Sequence, residues 1–278
     1  MNEETKDQVR AAVRDQYGAI ARSAGGGACG TGCCGPGASA SVTLGYSSED
    51  VAAVPEGANL GLGCGNPHAI AALKPGEVVL DLGSGAGFDC FLAAKRVGSS
   101  GRVIGVDMTA DMVSKARANA AKLDAKNVEF RLGEIEHLPV ADQSIDVILS
   151  NCVINLSPDK AAVFRDAYRA LKPGGRLAIA DVIAIAPIPE ALSKEVLAVT
   201  GCIAGAANED ELTKLLQRAG FENVRIEVNE ASRSFIQDWM PGSGAESYVA
   251  SATVEAVKPG GAPRACCGPS CCEPGASA

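Results

Sequence analysis

Between Glu77 and Asp181 short apolar runs alternate with stretches whose apolar residues recur every three or four positions. The runs 78–82, 103–107, 128–132, 145–150 and 176–181 read as strands, and 88–97, 110–123 and 159–171 as helices. Lys172-Pro173-Gly174-Gly175 ends the last of these helices before the fifth strand. Strands alternating with helices imply a parallel sheet covered on both faces, an α/β doubly wound fold. Farther on, 209–219 reads as a helix with Asn208 as N-cap and Gly220 as stop. The runs 224–228 and 248–256 read as two more strands closing the far edge, giving a mostly parallel seven-stranded sheet. The stretch from Ala184 to about Ala206 reads as helical. Upstream, Val9, Val13, Tyr17 and Ile20 give 6–21 helical spacing, and Ser48 caps a short helix with Glu49 and Asp50 in its first turn.

Two segments break the pattern. Residues 23–40 are rich in Gly, Ala and Cys and read as a mobile loop; from Lys258 a Pro-, Gly- and Cys-rich stretch reads as a disordered tail. They share a motif, CCGPGASA at 33–40 and CCEPGASA at 271–278, which suggests two copies of one thiol-bearing module. The expected division is therefore 1–72 (helix and Cys-rich loop), 73–184 (cofactor-binding domain), 185–257 (a substrate-binding insertion completing the sheet) and 258–278 (tail).

Composition narrows the function. A net charge of -8 disfavours a protein that coats nucleic-acid phosphates. The start, MNEETKDQ, lacks the apolar stretch of a signal peptide. The longest apolar run, 177–188, is interrupted by Asp181 and is too short to cross a bilayer, so a cytoplasmic location away from membranes is expected. With 47% hydrophobic residues the chain can build a core, so its 11 cysteines are not the framework of a small disulfide-stapled domain.

Asp81-Leu82-Gly83-Ser84-Gly85-Ala86-Gly87 falls where the first strand turns into a helix. Glycines there let a ligand approach the backbone closely. Asp107 closes the second strand, where a carboxylate can accept from both hydroxyls of a ribose. A dinucleotide fingerprint wants its third glycine where Phe88 stands. The spacing instead resembles class I S-adenosylmethionine methyltransferases, with Glu134-Ile135-Glu136 at the family's adenine pocket. The expected cofactor positions are Asp81, Gly83, Ser84, Gly85, Gly87, Asp107, Met108, Ile135, Glu136 and Asn151.

The thiols divide by context. Cys152, in Asn151-Cys152-Val153-Ile154-Asn155-Leu156, lies just past the fourth strand, where open α/β sheets bind ligands. Cys202, in Gly201-Cys202-Ile203, either packs or coordinates. Cys64 stands among glycines in a loop that Asn66 and Pro67 turn into a helix, so reactivity is expected of it. Cys90 sits in an apolar helix and reads as core. Cys29, Cys33, Cys34, Cys266, Cys267, Cys271 and Cys272 occupy the two irregular segments. Adjacent Cα atoms are about 3.8 Å apart, whereas disulfides need about 4.4 Å or more. Adjacent cysteines are thus poor disulfides with each other and suit a soft ion, a four-cysteine zinc site among the readings. His68 and His137 show no partner marking a catalytic base and read as structural or surface residues.

Asp81 to Gly87, the Gly-Cys-Gly-Asn-Pro at 63–67, Asn-Cys-Val-Ile-Asn-Leu at 151–156 and Gly201-Cys202 together resemble the arsenite S-adenosylmethionine methyltransferases, over nearly the whole chain outside the tail. The resemblance implies that Cys152 and Cys202 hold arsenic beside the methyl donor, with Cys64 as third thiol and Cys33 or Cys34 as fourth. Cys64 and the N-terminal thiol are then expected to close to a disulfide after methyl transfer, returning arsenic to the trivalent state, with glutathione or thioredoxin resetting them. Arsenite and its methylated products would be the substrates, S-adenosylmethionine the cofactor, and Cys266, Cys267, Cys271 and Cys272 a means of capturing the metalloid. A monomer is the default. The rival readings are a methyltransferase for another acceptor and a metalloid-binding or redox-sensing protein on this scaffold.

Overall fold

The computed structural model describes residues 3–23, 41–194, 202–239 and 241–260. Helix α1 (Glu3–Arg22) leads in, followed by the short helices α2 (Ser48–Ala52) and α3 (His68–Ala71). The alternating part is β1 (Val78–Leu82), α4 (Phe88–Val97), β2 (Arg102–Asp107), α5 (Ala110–Lys122), β3 (Val128–Leu132), β4 (Ile145–Asn151), α6 (Lys160–Ala170) and β5 (Leu171–Ala184). After it come α7 (Glu190–Lys194), α8 (Glu209–Ala219), β6 (Glu222–Asn229), α9 (Arg233–Ile236) and β7 (Val249–Val257).

The sheet has seven strands in the order β3-β2-β1-β4-β5-β7-β6. Its first five are parallel, and β7 runs antiparallel to both β5 and β6. The doubly wound, mostly parallel sheet expected from the sequence is thus present. One face buries Val163, Phe164 and Ala167 of α6 with Leu212 and Leu216 of α8. The other buries Cys90, Phe91 and Ala93 of α4 with Val113 and Ala116 of α5. The order reverses beside β1, and a parallel sheet binds its ligands beyond its carboxyl ends at such a point.

Local chemistry sets most boundaries. Asn208 accepts from Glu211 N, the Glu211 carboxylate accepts from Asn208 N, and Gly220 ends α8 with φ 103°. Ser47 rather than Ser48 caps α2: its Oγ accepts from Asp50 N at 3.0 Å, and the Asp50 carboxylate accepts from Ser47 N. The fifth strand is longer than expected at both ends. Leu171 already pairs with Ile145 across an irregularity, so Lys172–Gly175 bends the strand without preceding it. At the other end Val182 to Ala184 still pair with β7. The Lys258 ammonium donates to the carbonyls of Tyr168 and Leu171, tying the end of β7 to this bend. Within 184–206 the described residues are helical only in α7. Both CCxPGASA segments lie outside the described residues, and no described helix is long and apolar enough to cross a membrane.

Phe164 is among the largest fully buried side chains and joins α6 to the sheet. Phe164→Ala should lower the free energy of unfolding by about 3–5 kcal/mol, measured by urea titration.

Candidate active site

A cavity opens beyond the carboxyl ends of β1, β2 and β4, at the loop between β1 and α4. Asp81, Gly83, Ser84, Gly85, Asp107, Met108, Ile135, Glu136 and Asn151 all line it. Gly87 does not: it starts α4 with φ 98°, and a Cβ there would lie 2.8 Å from the rings of Phe91 and Phe130. Its part in the described structure is to let helix and sheet approach. At Gly85 (φ 50°) a Cβ would meet no protein atom within 4 Å and would project into open space.

The cavity gathers carboxylates. Asp107 Oδ2 accepts from Gly85 N at 2.9 Å and Oδ1 from Thr109 N at 2.8 Å, so it shapes the glycine turn. Burial pushes its carboxyl up, opposed by those two N–H groups. Asp81 is pushed well up, by burial first and by the charge of Asp89 second, while the thiol of Cys90 donates to it at 3.2 Å. Cys90 is buried in the core as expected, and its own thiol is pushed up by burial and then by Asp81. A pocket of buried carboxylates suits a cationic ligand, and S-adenosylmethionine carries a sulfonium and an ammonium. Ser84 Oγ, buried with no hydrogen-bond partner among the described residues, adds a polar group beside it. The donor set therefore fits that cofactor, with Asp107 available to a ribose and Asp81 and Asp89 to its positive end.

A second network joins segments far apart in the chain. Tyr46 OH donates to Asp89 Oδ1 at 2.6 Å, and His68 Nε2 lies 3.1 Å from the same oxygen. Asn151 Nδ2 approaches Tyr46 OH, the Gly65 carbonyl and Asp89 Oδ2, while Asn151 Oδ1 accepts from Cys64 N at 3.0 Å. Asn151 is thus a cavity-wall residue whose polar atoms hold the Cys64 loop. His68 is buried and structural, and His137 is exposed. Arg10, Val13 and Tyr17 make α1 a wall of the cavity. Glu136 accepts from Ser157 Oγ at 2.7 Å and lies 3.6 Å from Arg10.

Three thiols converge behind the cavity. Cys152, next after β4, lines it. Cys64 and Cys152 form a disulfide with Cα atoms 5.7 Å apart. The expected partners of Cys64, Cys33 and Cys34, lie outside the described residues with Cys29 and the four tail cysteines; the described structure pairs Cys64 with Cys152 instead. The reason is local: Asn151 grips Cys64 N and Ser251 Oγ of β7 donates to the Cys64 carbonyl at 2.5 Å, so the loop is drawn onto the end of β4. Cys202 Sγ donates to the Cys152 carbonyl at 3.0 Å. Cys152 (φ 58°) and Cys202 (φ 68°) both occupy the left-handed region, which is strained for residues bearing a Cβ.

Asp181 on β5 completes the group, a carboxylate oxygen lying within 4.8 Å of the Cys64 and Cys152 sulfurs. Burial pushes it up to about 6, against the N–H of Val182, the charge of Lys160 and the N–H groups of Ile154 and Asn155; Asn155 Nδ2 also donates to it at 2.9 Å. Its signal in the sequence was the one carboxylate inside the long apolar run.

Residues 73–220 match the family model described as a methyltransferase domain. The chain is 55% identical over 264 residues to an arsenite methyltransferase of Halobacterium salinarum, covering 91% of this chain and 67% of that one. It is 46% identical over 171 residues to an arsenite methyltransferase of Aquipseudomonas alcaligenes, covering 59% of this chain but only 49% of that longer protein. Among solved structures it is similar to an arsenic(III) S-adenosylmethionine methyltransferase from Chlamydomonas reinhardtii, with a TM-score of 0.60 and 34% identity over 82% of this chain and 76% of that one.

Gly85→Ala should leave the fold standing, at a backbone cost of about 1–2 kcal/mol. It should raise the Kd for S-adenosylhomocysteine roughly ten-fold or more, about 1.4 kcal/mol; unchanged affinity in calorimetry would place the ligand away from this turn. Asp181, held above the ordinary carboxyl value of about 4, binds its proton more tightly folded than unfolded. Its stabilising contribution is complete below pH 4 and is lost as pH climbs through 6. Unfolding free energies of the intact chain and of Asp181→Asn should accordingly diverge by up to about 3 kcal/mol over that window.

Proposed function

The chain belongs to the arsenite methyltransferase family, and from that premise we propose that it moves the methyl group of S-adenosylmethionine onto trivalent arsenic held by Cys64, Cys152 and Cys202. The observation carrying this reading is that Cys64, Cys152 and Cys202 pack in one buried cluster, with Cys152 at the wall of the cavity that the glycine turn opens. The cofactor supplies an electrophilic methyl on a sulfonium. The protein's part is to orient that group through Asp81, Gly85 and Asp107 and to hold arsenic in line with it at near-contact distance.

Arsenic bound by thiolates keeps a lone pair and is itself the nucleophile, so no general base is required. Neither histidine is needed: His68 is engaged with Asp89 and His137 faces solvent. Transfer takes two electrons from arsenic, raising it from the trivalent to the pentavalent state. Two thiols closing to one disulfide return those electrons, and Cys64 with Cys152 is the pair already held within bonding reach. Cys33 or Cys34 is an alternative partner for Cys64. Glutathione or thioredoxin then reopens the disulfide by thiol exchange. The tail cysteines Cys266, Cys267, Cys271 and Cys272 serve capture of the metalloid.

The test is arsenic speciation after incubation of the reduced protein with arsenite, S-adenosylmethionine and glutathione. Methylated arsenic is expected from the intact chain, with a loss of a hundred-fold or more (roughly 3 kcal/mol) in Cys152→Ser and Cys202→Ser. Cys64→Ser should impair arsenite methylation more than methylation of monomethylarsenite, which needs fewer protein thiols. Undiminished turnover in the first two variants would remove the proposal. Tight arsenite binding without product would favour a sequestering or sensing protein.

A further inference from the structure

We propose that Cys64, Cys152 and Asp181 form a second kind of site, for a divalent thiophilic cation such as cadmium(II) or zinc(II), in which Asp181 supplies an oxygen ligand. It forms once a dithiol or two equivalents of a thiol have delivered two electrons and two protons to the Cys64–Cys152 disulfide, themselves ending as a disulfide. Binding then replaces two thiol protons, released to solvent, with two metal–sulfur bonds.

The donors are already gathered: the two sulfurs and a carboxylate oxygen all lie within 4.8 Å of one another, in buried residues. A tetrahedral cation draws such ligands to about 2.0–2.3 Å from itself. The carboxylate has room for it. Asp181 Oδ1 accepts from Asn155 Nδ2 at 2.9 Å and from Val182 N at 2.8 Å, and among the described residues the hydrogen bond within 3.5 Å on Oδ2 comes from Ile154 N at 3.0 Å. A carboxylate offers about four lone-pair positions, so one remains on Oδ2. These same bonds fix the carboxylate, so a cation meets a preorganised oxygen. Two thiolates and a carboxylate around a dication leave one negative charge, and the half-buried Lys160 interacts electrostatically with both Asp181 and Cys202. Three protein ligands and one open position make the pattern of a zinc site that keeps a water.

Arsenic differs in what it asks of the same cluster. Three thiolates neutralise trivalent arsenic, and its remaining direction is the lone pair that takes the methyl group. It therefore depends on Cys202, whereas the cation depends on Asp181. A bound cation occupies two of the three sulfurs and competes with arsenite; this consequence alone rests on the arsenic reading.

Cadmium chloride is titrated into the reduced, full-length chain in which Cys29, Cys33, Cys34, Cys266, Cys267, Cys271 and Cys272 are replaced by serine, with a phosphine as reductant. One equivalent should bind with thiolate–cadmium absorption and a single cadmium-113 resonance between the all-sulfur and all-oxygen ranges. Cys152→Ser should abolish that absorption, Asp181→Asn should weaken cadmium at least ten-fold, and Cys202→Ser should retain it. An all-sulfur resonance overturns the proposal even if Asp181→Asn does not fold, and so does unaltered cadmium affinity in a folded Asp181→Asn. Methylation by the intact chain without cadmium binding overturns this inference alone. Cadmium binding without methylation supports the cation site and overturns only the arsenic reading.

Discussion

Moving a carboxylate out of water costs several kcal/mol unless hydrogen bonds or a cation replace the solvent. The carboxyl ends of this sheet carry that debt at Asp81, Asp107 and Asp181, with Asp89 beside them on α4. Each discharges part of it on the backbone or side chains nearby, and each such bond positions something else. Asp107 folds the glycine turn through Gly85 N. Asp181 gathers Ile154, Asn155 and Val182 around the segment that carries Cys152. Asp89 joins Tyr46, His68 and Asn151 into one buried cluster. What the protein leaves unneutralised is available to the positive charge of the cofactor.

The same logic explains why the cofactor pocket and the thiol cluster share a wall. Asn151 ends β4, its side chain holds the Cys64 loop, and the next residue is Cys152. Small shifts of this strand end would therefore move both thiols together relative to the methyl donor. Ser251 anchors the Cys64 carbonyl from the antiparallel strand β7, which ties a strand between β5 and β6 to the thiol cluster.

Much of this was legible in the sequence because it is local. Strands β1 and β3 and helices α4 and α8 have the bounds their apolar periodicity and caps imply, and the glycine turn declares itself by spacing. Contacts between distant segments left no such trace. Tyr46 and Asn151 meet across 105 residues and Cys64 and Cys152 across 88, and no short-range pattern encodes a pairing of that span. β5 is longer than its local pattern implies because Pro173 and two glycines look like a break, while the pairing of Leu171 with Ile145 carries the strand through it. Asp181 was readable in principle: a lone acid in a buried apolar run must find partners, and such positions reward a search for what they face.

Cys152 and Cys202 also carry a cost that glycine would remove. Left-handed backbone is worth roughly 1 kcal/mol or more against a residue with a Cβ, and both cysteines adopt it. At these positions, foldability and chemistry pull in opposite directions. Glycine or asparagine at either position would relieve that strain, so under the proposed assignment each thiol is held in place against a conformational cost.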